Sequence, residues 1–339
     1  MKALAARKHV LLEKPAADTA AEVREMFEFA KKQGVVLLEA FHYRCAYITP
    51  IKNIESNKNI HSFHPAVLRA KAILDSGELG AVKSLDVKMR IPQGFMRDDD
   101  IRFIHSLGGG AMMDVGCTFN TMSFQTNPNI DPSCSNFPGY MINTLRYFTS
   151  SNPTSVLEAK PDVFPRINGS ENTDLVDAGM EATLVFPNDA IGTLDGHLRV
   201  PLRFGLIPII PEMRLKVVCE NGELDFFNHI MPVIYHSITI TTKTGKEGKG
   251  RKKRIEKVYK PLEDGQKGED WWTTYVFTLE GMYDCRHNIF ACSYRYQLEA
   301  FVDKVKGREP PVWLTEEDSV SNLEWIEKVY EKVISLLTA

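Results

Sequence analysis

The stretch VLLEKPAADTAAEV, residues 10–23, decides the fold. Val10, Leu11 and Leu12 read as a short buried strand. Glu13, Lys14 and Pro15 then break the run at its carboxyl end. Thr19 makes a good N-cap, and Glu22, three residues on, completes a capping box. Val23, Met26, Phe27 and Ala30 recur at helical spacing, and Gly34 stands where a helix usually stops. Residues 35–40 form a second apolar run. Strand, helix and strand within about 30 residues make a βαβ unit, which implies a parallel sheet.

Farther along, the texture changes. Leu85, Val87, Met89 and Ile91 alternate with charged residues, as in a half-exposed strand. More strands are predicted at 154–160, 179–186, 190–200 and 213–219. Asn221-Gly222 predicts a hairpin turn, and residues 231–242 continue the β-rich part. Helices are predicted over 294–306 and 316–337. The fold class is therefore α/β plus α+β: the carboxyl-terminal half of a Rossmann-like domain, then an antiparallel open-faced sheet with helices. Residues 1–76 are assigned to the first domain and 77–339 to the second.

The 339 residues carry a net charge of −3, which argues against nucleic acid as a partner. The run KTGKEGKGRKKR, residues 243–254, reads as a solvated hairpin loop, with a nuclear signal or an RNA patch as the alternative. No apolar run reaches the roughly 20 residues of a membrane helix, and MKALAARKHV lacks a signal core. The six cysteines have no metal spacing. A cytoplasmic protein with free thiols follows from these features, and no metal is expected.

Two places could carry chemistry. Lys14 is held at a strand end by a following proline, where desolvation would bring its pKa toward acid–base range. The alternative is a surface lysine in a turn. SLGGGAMMDVGC, residues 106–117, sets three glycines before Asp114 in an apolar setting. A buried carboxylate there needs a partner such as a substrate hydroxyl; the alternative is a glycine turn with Asp114 as a helix cap. No G-x-G-x-x-G occurs anywhere in the chain.

Taken in order, KHVLLEKPAADTAAEV (8–23), EAFHYR (39–44), GGGAMMDVGC (108–117), MPVIYHSITI (231–240) and YRYQLEAFVDKVKG (294–307) resemble the Gfo/Idh/MocA oxidoreductases. The similarity is greatest to the NADP-dependent D-xylose 1-dehydrogenases and the trans-1,2-dihydrobenzene-1,2-diol dehydrogenases. The resemblance implies hydride transfer from a hydroxyl-bearing carbon of a sugar or cyclic diol to NADP, with NAD as the alternative carrier. It implies a homodimer formed through the open sheet face. It makes Lys14 the lysine of the Glu-Lys-Pro turn, with Glu13, Lys14, Pro15 and Arg44 on the cofactor side. His42, Arg102 and Phe103 would face substrate, although His42 also reads as a core histidine and Arg44 as an ion-pair former. Asp114 would bind a substrate hydroxyl.

The family's acid–base tyrosine follows that aspartate by four positions, where this chain has Thr118. Removing residues 118–139 brings Tyr140 into that position. Removing 45–62 and 276–294 likewise restores motifs that those segments interrupt. The three segments hold four of the six cysteines, Cys45, Cys134, Cys285 and Cys292, and read as translated introns, with genuine insertions as the alternative. Relative to the family, at least two units of about 30 residues each would precede the Lys14 strand. An N-terminally truncated enzyme with weak or no dinucleotide binding is therefore expected, the phosphate cradle being absent. The competing expectation is a non-catalytic member that acts through its carboxyl-terminal dimerisation domain.

Overall fold

In a computed structural model, the described residues are 1–41, 65–97, 103, 111–114, 140–163, 176–207, 209–230, 232, 235–244, 250–258, 292–310 and 313–337. The elements in order are α1 (Lys2–Ala5), β1 (Val10–Leu12), α2 (Ala20–Gln33), β2 (Leu37–Glu39), α3 (Pro65–Asp75), β3 (Val82–Pro92), α4 (Ala111–Asp114) and α5 (Tyr140–Thr149). Then come β4 (Ser155–Val163), β5 (Asp177–Val185), β6 (Ile191–Val200), β7 (Glu212–Cys219), β8 (Gly222–Phe227), β9 (Ser237–Thr244), β10 (Gly250–Glu256), α6 (Cys292–Val305) and α7 (Glu316–Leu337).

The βαβ unit forms as the sequence predicts. β1 and β2 pair in parallel, Val10 opposite Leu37 and Leu12 opposite Glu39. The capping box is reciprocal: the Glu22 amide donates to Thr19 Oγ1 at 3.2 Å, and the Thr19 amide donates to Glu22 Oε2 at 3.1 Å. Each side chain satisfies an amide that the first helical turn leaves open, worth about 1 kcal/mol. Lys31 and Lys32 sit at the negative end of the α2 dipole. Gly34 follows with φ +68°, the left-handed conformation that ends a helix most cheaply with glycine.

A second sheet has eight strands in the order β10-β9-β8-β7-β3-β6-β5-β4. The pairs β4–β5, β5–β6, β7–β8, β8–β9 and β9–β10 are antiparallel. Along β3, Leu85, Val87, Met89 and Ile91 are buried, and the charged residues between them face outward. That alternation fixes the register, because a slip by one residue would bury Asp86, Lys88 and Arg90.

The chain divides into two compact units. One comprises Met1–Leu12, Val23–Leu85 and Met213–Ser319, with a core that includes Phe27, Leu38, Ile73, Leu215, Val217, Phe226 and Ile240. Here Arg69 of α3 donates to Glu256 of β10 at 2.7 Å. The other comprises Glu13–Glu22, Asp86–Glu212 and Val320–Ala339, with a core that includes Val87, Ile91, Leu145, Phe148, Met180, Leu184, Leu194, Ile326 and Val329. Burying each such side chain contributes about 1.5–3 kcal/mol.

Two local readings need correction. The hairpin loop is residues 220–221, not Asn221-Gly222, because Gly222 already pairs with Cys219. Gly222 is required for space: a Cβ there would meet the Thr241 carbonyl oxygen at 2.3 Å. The basic run is not all loop either. Lys243 and Thr244 lie in β9 and Gly250 to Arg254 in β10, paired with each other, so the run contributes to both arms of a hairpin. The segments 45–62 and 118–139 lie outside the described residues, as does 276–291 of the third. Among the described residues, no helix is long and apolar enough to cross a membrane.

Candidate active site

The turn after β1 delivers Lys14 into the interior of the second unit. Its side chain is 1% exposed, an unusual state for a lysine. The Lys14–Pro15 bond is cis, and Ala16 and Ala20 beyond it are buried. The segment is fastened at its far end, where the Ala20 amide donates to Glu327 of α7 at 2.8 Å. That carboxylate takes one of the open amides at the start of α2, so the turn is held from both sides.

Tyr140 is the first residue of α5 and is fully buried. The amphipathic stretch YMINTLRYFT explains the helix. Met141, Ile142, Leu145 and Phe148 are buried, and α5 packs on β6. The Lys14 ammonium nitrogen lies 5.9 Å from the centroid of the Tyr140 ring, within the range of a cation–π attraction. The two residues that the sequence nominated for proton transfer are thus together in one buried place. Beside them, partial desolvation pushes the Glu13 carboxyl above the usual carboxylate range, with the Lys14 charge opposing the shift.

Phe103 is buried, and the Arg199 guanidinium stands 5.9 Å from its ring centroid. Asp114 closes α4, and its side chain lies outside the described part. His42, Arg44 and Arg102 are also outside the described residues.

Sequence reading missed Asp177. This carboxylate is 8% exposed at the start of β5. It accepts the Met112 amide at 2.7 Å and the Tyr330 hydroxyl at 2.9 Å. It therefore ties α4, the helix of the glycine motif, to β5 and α7. Burial pushes its pKa up to about 6, against the downward pull of the Met112 and Tyr330 bonds. An acidic residue heading an apolar strand was the available signal.

Residues 1–41 match the family model GFO_IDH_MocA, described as an oxidoreductase family with an NAD-binding Rossmann fold. A D-xylose 1-dehydrogenase (NADP(+)) 2 of Haloferax volcanii is 40% identical over 111 residues, which are 32% of this chain and 27% of that protein. The D-xylose 1-dehydrogenase (NADP(+)) of Hypocrea jecorina is 26% identical over 234 residues, 66% of this chain and 53% of that one. The match thus spans about half, or less, of these relatives' length. Among solved structures, an aldose–aldose oxidoreductase from Caulobacter crescentus complexed with glycerol superposes with a TM-score of 0.61. That likeness has 19% identity and covers 98% of this chain and 72% of the other, which establishes the fold.

Proposed function

We propose, from the match of residues 1–41 to the Gfo/Idh/MocA oxidoreductase family model, that the chain oxidises a sugar or a cyclic trans-dihydrodiol, with NADP as hydride acceptor and NAD as the other carrier. D-xylose, going to xylonolactone, is the first substrate to test. The observation that carries this reading is the buried pair of Lys14 and Tyr140.

The roles follow from the chemistry. Removing hydride from a carbinol carbon requires the hydroxyl proton to leave as well. Tyr140 is the acceptor of that proton. The Lys14 ammonium favours the phenolate by charge, which brings the phenol toward working range. Positioned proton transfer of this kind is worth about 10²–10⁴-fold. Asp114 is assigned to a substrate hydroxyl, with His42, Arg102 and Phe103 around the substrate.

The cofactor, when bound, supplies the hydride acceptor. Glu13, Lys14 and Pro15 would border its nicotinamide, at the carboxyl end of a parallel strand where such ligands bind, and Arg44 would join them. The buried cation fits a site that must exclude water. The eight-stranded sheet favours a second reading, a non-catalytic family member that acts as a homodimer through that sheet. Fluorescence titration with NADPH, followed by turnover with D-xylose, tests the proposal. Saturable binding with slow turnover supports the enzyme. No binding, with a dimer by sedimentation, supports the second reading.

A further inference from the structure

The outward face of β4, β5 and β6 holds a cluster that the proposed dehydrogenase chemistry does not use. The His197 ring lies across Gly179 of the neighbouring strand, its pairing partner. A Cβ at Gly179 would meet Nδ1 of that ring at 2.0 Å, so the glycine makes the room the imidazole occupies. From there His197 faces three carboxylates on three strands. Its Nε2 is 3.4 Å from Asp195 Oδ1 and 3.8 Å from Glu181 Oε1, and its Nδ1 is 3.6 Å from Asp162 Oδ2.

Glu181, Asp195 and His197 each offer one ligand atom, and these atoms all lie within 4.8 Å of one another. Bonds of about 2.0–2.2 Å from a tetrahedral zinc to N and O ligands place neighbouring ligand atoms roughly 3.3–3.6 Å apart. The 3.4 Å between His197 Nε2 and Asp195 Oδ1 matches that spacing, and Glu181 Oε1 at 3.8 Å would have to close by a few tenths of an ångström. Arg90 holds Asp195 through both oxygens, Nε donating to Oδ1 at 3.0 Å and Nη2 to Oδ2 at 2.5 Å; such hydrogen bonds to a carboxylate fix its orientation as a metal ligand. Glu181 and Asp195 line an open cleft of about 290 Å³ as well, which gives an ion a way in.

We propose that Glu181, Asp195 and His197 bind one divalent transition ion of the zinc type, with Asp162 as an outlying carboxylate on the other ring nitrogen. One imidazole with carboxylates suits zinc better than calcium or magnesium, which prefer all-oxygen sets. The three residues lie on the paired strands β5 and β6 of one compact unit. Among the described residues, Arg90, Lys88 and Lys160 are cations beside this cluster that weaken the field, so the affinity is moderate.

The test is zinc titration of the full chain by calorimetry, with cobalt absorption as a second readout. The wild type is expected to take up one more zinc than His197→Ala and to give a cobalt d–d band that His197→Ala lacks. Glu181→Gln changes little volume and keeps the strand, and is expected to weaken that equivalent about tenfold or more. Both variants are checked for native circular dichroism. Equal stoichiometry and affinity in the wild type and His197→Ala would overturn the proposal, as would a folded wild type that takes up no zinc.

Discussion

The Lys14 ammonium nitrogen stands 5.9 Å from the centroid of the Tyr140 ring, and both side chains are sealed from solvent. A lysine is rarely buried without a use for its charge, and a phenol is one group whose acidity that charge can shift. The elements that bring them together are independent of each other. Lys14 is set by the end of β1 and by the Glu327 clamp on α2, and Tyr140 by the packing of α5 on β6.

Asp177 should leave a signature in the pH dependence of stability. Its pKa is about 6 in the fold, against 3.8 when exposed. A raised carboxyl contributes stability that is fully present below about 3.8 and is lost as pH rises through about 6. The difference of about two units corresponds to about 3 kcal/mol. Asp177→Asn keeps an acceptor for the Met112 amide but cannot ionise. In urea unfolding from pH 3.5 to 7, the variant should gain on the wild type as pH rises.

His236 should act with the opposite sign. Burial, with the Lys257 charge adding to it, lowers its pKa to about 4, against the bond to the Pro232 carbonyl. The neutral ring is set to donate from Nδ1 to Pro232 O at 2.6 Å and accepts the Val258 amide at Nε2 at 2.8 Å. A lowered histidine contributes stability that is present above about 6.5 and is lost as pH falls through about 4, again about 3 kcal/mol. His236→Gln should cost about 1–3 kcal/mol at neutral pH and lose less than the wild type on acidification. Parallel urea series on both proteins would measure this.

Gly222→Ala should be costly although the glycine has no left-handed φ. The added methyl meets the Thr241 carbonyl at 2.3 Å and Leu79 Cδ2 at 2.8 Å. Forcing β8 and β9 apart is expected to cost about 1–3 kcal/mol or more, read as a lower urea midpoint at unchanged m-value.

Local signals were legible in the sequence, and long-range ones were not. Thr19 and Glu22 announced their box, Gly34 its stop, and Leu85 to Ile91 their alternation, because each signal lies within a few residues. Tyr140 was found only by reading across residues 118–139, with a family pattern as guide. Asp177 escaped because its partners Met112 and Tyr330 are 65 and 153 residues away. The His197 cluster escaped for a related reason. Glu181, Asp195 and His197 converge through the register of β5 and β6, and Gly179 acts there by lacking a side chain. The Asn221-Gly222 hairpin slipped by one residue because the glycine serves the β8–β9 contact and not the turn.

The most direct measurement is NADPH formation from NADP and D-xylose by the wild type, Lys14→Met and Tyr140→Phe, each with native circular dichroism. Slow turnover in the wild type that falls about 10²–10⁴-fold in Tyr140→Phe, and also falls in Lys14→Met, is the expected result. Equal rates in all three proteins, or no turnover in a folded wild type that binds the dinucleotide, would contradict the assignment of these two groups to proton transfer.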